Sequence, residues 1–214
     1  MVNGIEKYID YTLLKPDTPF DMFERLCADA EKYRFYSVCV PPYVVKECKK
    51  FLKNSKVKIT TVIGFPLGYN STQTKLFEMQ KAISDGADET DIVMNVSAFK
   101  SGRTNYVLNE LKELRKSAGK SVLKIIIESC CLSKEEIAAV CALVSESGAD
   151  FVKTSTGFGS GGAKIGDIKL IKNSIPRHIK IKASGCIKTL QQAQEFIKAG
   201  ASRIGTSSLL SAEF

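Results

Sequence analysis

IKIKAS, residues 179–184, decides the architecture. Side chains alternate across an extended chain, so Ile179 and Ile181 point one way while Lys180 and Lys182 point the other. The same alternation sets Asp91, Val93 and Asn95 together in TDIVMN (90–95), and Lys124, Ile126 and Glu128 together in LKIIIE (123–128). A strand whose apolar face is covered by helices must turn such charges to its other face. If that face is the inside of a closed barrel, the charge is costly unless it is paired or put to use.

Outward from these stretches, short β-branched cores recur at 9–13, 37–40, 58–63, 90–94, 122–127, 151–154, 179–183 and 202–205, which makes eight. Helix-start signals lie between them: Thr18 before Pro19, Ser133 with Glu136 three residues on, and Thr189 with Gln192 in the same capping-box spacing. SDGADETDI, ESGADFVK and KAGASRIG form a faint internal repeat in which Gly86, Gly148 and Gly200 read as helix C-caps ahead of the fourth, sixth and eighth strands. Eight βα units in 214 residues predict an α/β fold, a (β/α)8 or TIM barrel, as a single domain over residues 1–214. A doubly wound open sheet is the runner-up.

Composition narrows the function classes. At 44% hydrophobic and 25% charged residues the chain is neither disordered nor fibrous. Its longest apolar run, 137–144, is far short of the roughly 18 residues of a membrane span. MVNGIEKYIDYTLL shows no targeting pattern, so the expectation is a cytoplasmic protein without membrane association. Seven cysteines, one histidine and no C-x-x-C pair suit reduced thiols rather than disulfides or a zinc site. The net charge of +8 fits a nucleic-acid binder, a site for an anionic substrate, or a solvated lysine-rich surface. Dispersed lysines and the absence of Trp argue against nucleic acid.

FVKTSTG (151–157) carries the chemistry. Lys153 stands at the C-terminal end of the sixth strand, the face where barrel enzymes place catalytic groups. A lone lysine there is an ordinary surface charge, but Lys182 holds the equivalent place on the seventh strand and Lys124 lies on the fifth. Crowded, desolvated ammonium groups disfavour one another's charge, and the neutral amine that results condenses with aldehydes and ketones. Asp91 is the inward carboxylate of the fourth strand, readable as a proton-transfer group, as a counter-ion to the lysines, or as both. TGFGSGG contains G-x-G-x-x-G at Gly157, Gly159 and Gly162, yet the acid expected about 20 residues on is missing, so a dinucleotide site is discounted. A phosphate cup fits better: ASGCIKT and IGTSSLL place Gly185, Cys186, Gly205, Ser207 and Ser208 in the two loops where barrels commonly bind phosphate. Cys39 would face the same cavity as a small filler, and the tandem Cys130 and Cys131 suggest no metal geometry.

IDYTLLKPD, YSVCVPPYVV, VIGFPLG, GADETDIVMN, VLKIIIES, FVKTSTGFGSGGA, IKIKASGCI and RIGTSSL, in this order and spacing, resemble the deoxyribose-phosphate aldolases, class I aldolases on a TIM barrel. The resemblance runs from about residue 5 to 210 and is most specific in VKTSTGF and KASG. It implies that Lys153 forms the Schiff base, that Lys182 tunes it, and that Asp91 relays protons. Asp10 and Lys124 match positions near the substrate, and Gly157, Gly185, Gly205, Ser207 and Ser208 match the phosphate-binding loops. The implied activity is reversible cleavage of 2-deoxy-D-ribose 5-phosphate to D-glyceraldehyde 3-phosphate and acetaldehyde, within deoxyribonucleotide and carbohydrate catabolism. It needs no cofactor and no metal, its partner is a small phosphorylated sugar, and a homo-oligomer stays open.

The chain departs from the family pattern at Tyr11, usually His, and at Ser97 and Cys186, both usually Gly. A side chain at Cys186 is expected to narrow the phosphate cup or to force a backbone conformation that glycine takes more comfortably. The alternatives are another Schiff-base, phosphate-binding barrel aldolase with a different donor, and an inactive barrel kept as a binding protein.

Overall fold

The computed structural model describes residues 4–208. Its strands are β1 (Ile9–Thr12), β2 (Ser37–Val40), β3 (Lys58–Ile63), β4 (Glu89–Val93), β5 (Val122–Ile126), β6 (Phe151–Lys153), β7 (Lys180–Ser184) and β8 (Arg203–Thr206). They pair in chain order into a closed parallel barrel, and β8 returns to β1 through Ile9 opposite Ile204 and Asp10 opposite Gly205. The closed sheet replaces the runner-up open one. Helices α1 (Asp21–Lys32), α2 (Val45–Phe51), α3 (Thr72–Asp85), α4 (Val96–Lys100), α5 (Thr104–Ala118), α6 (Lys134–Ser147), α7 (Ile165–Ser174) and α8 (Leu190–Ala199) lie between the strands. The stretch after β8, where an eighth βα unit would place its helix, runs beyond the described residues, as do the first three residues.

Strand periodicity locates all eight strands to within one residue at each end. At the ends of β1, β5 and β6 a ladder bond continues past the regular strand: Leu13 N–H donates to Cys39 O, Ile127 N–H to Lys153 O and Thr154 N–H to Lys182 O. Both capping boxes form, Ser133 with Glu136 on α6 and Thr189 with Gln192 on α8. Gly86, Gly148 and Gly200 close their helices with φ of 112°, 78° and 128°. Thr18 does not cap α1. A turn at Pro19 and Phe20 intervenes, with Met22 N–H on Pro19 O and Phe23 N–H on Phe20 O, and the helix begins at Asp21 without a side-chain cap.

The two strand faces separate as the alternation requires. Outward, Ile59, Ile92, Ile125, Val152, Ile181 and Ile204 join the apolar core beneath the helices. Inward, Ser37, Thr60, Glu89, Asp91, Lys124, Lys153, Lys182 and Arg203 are all buried, while Lys180, on the same face at the N-terminal end of β7, reaches solvent. Asn95 and Glu128 leave the inward rows because both lie past their strands. Asn95 Oδ1 accepts from Ala98 N–H and caps α4, and Glu128, at φ 49°, turns towards the loop after β6.

Candidate active site

The inward charges form one connected cluster. Asp91, on β4, takes Lys124 Nζ at 2.9 Å on Oδ1, and both Lys153 Nζ at 2.8 Å and Lys182 Nζ at 2.7 Å on Oδ2. Lys182 also lies 2.5 Å from Asp10 Oδ2, and Arg203 Nη1 joins Asp10 Oδ1 at 2.8 Å to Glu89 Oε2 at 3.0 Å. Lys124 completes the circuit 2.5 Å from Glu89. Ser37 Oγ donates to Asp10, and Thr60 Oγ1 donates to Glu89. Register brings these groups together: Asp91 stands opposite Lys124, Lys153 opposite Lys182, and Lys182 opposite Arg203. Gly205 leaves the space Lys182 needs, since a Cβ there would stand 3.1 Å from Lys182 Cε.

The ionisation of each group follows from its neighbours. Burial would raise Asp91 and Asp10, but the surrounding cations outweigh it: Lys124, Lys153 and Lys182 hold Asp91 well below the usual carboxylate range, and Lys182 and Arg203 hold Asp10 down. Burial would lower Lys182 and Lys124, and here the carboxylates win: Asp10 and Asp91 push Lys182 up, and Asp91 and Glu89 push Lys124 up. Lys153 alone of the three comes out lowered, by burial first, only partly countered by Asp91, with Lys182 adding repulsion. Of the two causes expected from the sequence, desolvation thus outweighs crowding by Lys182. Cys39 faces the same cluster, and burial keeps its thiol protonated.

Above the cluster opens a cavity of about 290 Å3 at the C-terminal ends of the strands. Lys153 lines it, and so do Gly157, Gly185, Cys186, Gly205, Ser207 and Ser208. The expected cup residues therefore share one chamber with the expected nucleophile. Asp91, Asp10, Lys124 and Lys182 are fully buried and do not line it. The loops after β6 and β7 meet at Gly162 and Gly185, where Ala163 N–H donates to both Ser184 O and Gly185 O. A Cβ on Gly162 would lie 2.3 Å from Gly185 O, so only glycine lets the loops close in this way. The G-x-G-x-x-G spacing thus serves loop packing at its last glycine. Cys186 has φ 61°, the left-handed conformation anticipated for a residue standing where glycine is usual. Ser208 N–H is turned back onto Thr206 Oγ1.

Sequence reading missed several groups. Glu89 and Arg203 close the cluster, and strand parity alone could have found them, Glu89 two residues before Asp91 and Arg203 two before Gly205. Lys15 and Lys188 bring two exposed ammonium groups to the rim of the cavity, on loops where no periodicity marks a direction. Glu128 accepts from Thr156 through both backbone N–H and hydroxyl, and fixes the loop that follows Lys153. Thr156 and Phe158 separate the main cavity from a smaller one of about 160 Å3 lined by Leu67, Val96 and Cys131.

A parallel barrel that buries an amine beside carboxylates and sets it on a cavity at the end where barrel enzymes react is suited to imine chemistry on a carbonyl compound. The chain belongs to the DeoC/LacD family of aldolases, whose family model matches residues 7–212. It is 48% identical over 205 residues to a deoxyribose-phosphate aldolase of Clostridioides difficile, an alignment covering 96% of this chain and 93% of that one. Among solved structures, an aldolase designated QR15 superposes with a TM-score of 0.93 at 45% identity, covering 97% of this chain and 93% of its own. The deoxyribose phosphate aldolase of Aeropyrum pernix, described as tetrameric, superposes with a TM-score of 0.89 at 30% identity, covering 95% and 87%. Among the described residues no helix is long and apolar enough to cross a membrane.

Proposed function

We propose that the protein reversibly cleaves 2-deoxy-D-ribose 5-phosphate to D-glyceraldehyde 3-phosphate and acetaldehyde through a Schiff base on Lys153. The observation that carries this is the chamber itself: the one lysine of the cluster whose charge the site disfavours lines the same cavity as the loops suited to a phosphate. The family of the chain and the names of its relatives support the same reading.

Lys153 Nζ attacks the C1 aldehyde, and loss of water from the carbinolamine leaves a protonated imine. That imine accepts the electron pair as the bond between C2 and C3 breaks. The C3 hydroxyl gives up its proton as glyceraldehyde 3-phosphate forms and departs. Asp91 is held too strongly ionised by its three lysines to be a good base by direct attack. Its role is to stabilise the iminium charge and polarise a water that takes the C3 proton and passes it to C2 of the enamine, while Lys182, held protonated by Asp10 and Asp91, shares the same carboxylate oxygen. The enamine is then protonated at C2, and water hydrolyses the imine to release acetaldehyde and free Lys153.

Gly157, Gly185, Gly205 and the Ser207 hydroxyl seat the 5-phosphate in this reading, and the rim ammonium groups of Lys15 and Lys188 draw it in. Free thiols at all seven cysteines fit a cytoplasmic setting, and the tetramer described for the Aeropyrum pernix relative supports a homo-oligomer. Enzyme-coupled detection of glyceraldehyde 3-phosphate from 2-deoxy-D-ribose 5-phosphate tests the assignment. Turnover that exceeds that of ketose phosphates is expected. A preference for ketose phosphates would assign a different donor, and no turnover of either would leave an inactive barrel.

A further inference from the structure

Among the described residues, the buried ionisable groups on the inward faces of the strands do not balance. Asp10, Glu89 and Asp91 supply three formal negative charges, and Lys124, Lys153, Lys182 and Arg203 four positive ones, all from residues at most 5% exposed. Every strand contributes to the surroundings: Asp10 from β1, the Cys39 thiol from β2, Thr60 from β3 as a neutral donor, two carboxylates from β4, and one cation each from β5 to β8. The Arg203 guanidinium also lies 3.5 Å from the centroid of the Tyr36 ring. With every group ionised, one positive charge is left over. A net charge in a desolvated interior is expensive, and loss of a single proton removes it.

The contacts determine which proton goes. Arg203 does not release one. Lys124 and Lys182 each touch two carboxylates. Among the described residues the only carboxylate oxygen that Lys153 touches is Asp91 Oδ2, which it shares with Lys182. Lys153 is the weakest-held cation and also the one that opens to the cavity.

We propose that Arg203 and Glu89, neither of which lines the cavity, are positioning residues for the reaction: as the unreleasable fourth cation and its counter-charge they fix the parity of the cluster and thereby keep Lys153 neutral. This rests on Lys153 being the imine-forming amine. Removing the Arg203 charge leaves the fully ionised cluster neutral, so Lys153 gains no relief by losing its proton. Removing the Glu89 charge doubles the surplus and favours the neutral amine further.

The test is the pH dependence of two quantities: kcat/KM, and the rate at which acetaldehyde with cyanoborohydride alkylates Lys153, read by peptide mass spectrometry. Arg203→Met should move the acidic limb of both to higher pH, and Glu89→Gln to lower pH, each on the order of one pH unit. Arg203→Lys, which keeps the charge, should leave the limb in place. Limbs that stay fixed while activity falls, or that move the same way in both variants, would overturn the proposal. Should Arg203→Met fail to fold, Glu89→Gln alone decides, because an unmoved or raised limb contradicts the parity argument. An absence of any adduct at Lys153 in the unaltered protein would instead strike the Schiff-base assignment, whatever the variants do.

Discussion

Cys186 holds a left-handed backbone at the mouth of the cavity, with φ 61° in the loop after β7. That conformation costs a non-glycine residue about 1–2 kcal/mol. Cys186→Gly removes the cost and adds about 0.5–1 kcal/mol of unfolded-state freedom, so a net gain in stability of roughly 0.5 kcal/mol is expected. Urea unfolding should show a slightly higher midpoint, and a lower KM for the phosphorylated sugar should accompany it as the cup loses a side chain. A lower midpoint would show that the Cys186 side chain contributes more than its backbone costs. Asp10 and Asp91 set the acid behaviour. Both are held below their ordinary value of 3.8 in the folded protein, so the stability they supply is fully present above that value. It is lost as pH falls through the folded values, and acid unfolding should therefore set in below about pH 4. Asp10→Asn leaves Lys182 and Arg203 short of an anion and should destabilise by about 3–5 kcal/mol in the same unfolding assay at neutral pH.

Among the elements, α3 and α5 are joined to the end of β4 by a buried pair that carries no part of the chemistry. Lys75 Nζ donates to Glu110 Oε1 at 2.8 Å and to Val93 O at 2.9 Å, and both side chains are fully buried. Thr72 Oγ1 donates to the other Glu110 oxygen. Lys75→Met should cost about 3–5 kcal/mol because it strands a buried carboxylate, while Lys75→Met combined with Glu110→Leu should recover much of the loss. Chemical denaturation of the three variants measures this, and equal losses in the single and double variants would contradict it. Nothing in the sequence marks this pair, since TQTKLFEMQ and NELKEL read as ordinary amphipathic helices with solvated lysines and glutamates. What periodicity does reveal is which strand residues share a face. It therefore finds Lys124, Lys153, Lys182 and Asp91, and it fails for Asn95 and Glu128, where the strand has ended and the parity rule no longer holds. The helix start expected at Thr18 failed for a similar local reason: the turn at Pro19 delays the helix by a few residues.

For the molecule as a whole, closure of the sheet gives the charges their meaning. On an open sheet the lysines of β5, β6 and β7 would form a row. In the barrel they converge on one carboxylate, with Asp10 and Arg203 brought beside them by the pairing of β8 with β1. Arg203 and Asp10 are 193 positions apart, so local patterns can assign each to the inner face but cannot show that they meet. Of the net charge of +8, the cluster accounts for one unit at most. The most direct measurement of the central claim is borohydride reduction in the presence of 2-deoxy-D-ribose 5-phosphate or acetaldehyde, followed by peptide mass spectrometry. The predicted result is loss of activity with a covalent mass on Lys153 alone, absent from Lys153→Met. Full activity after reduction, or an adduct on Lys182 or Lys124 in place of Lys153, would contradict it.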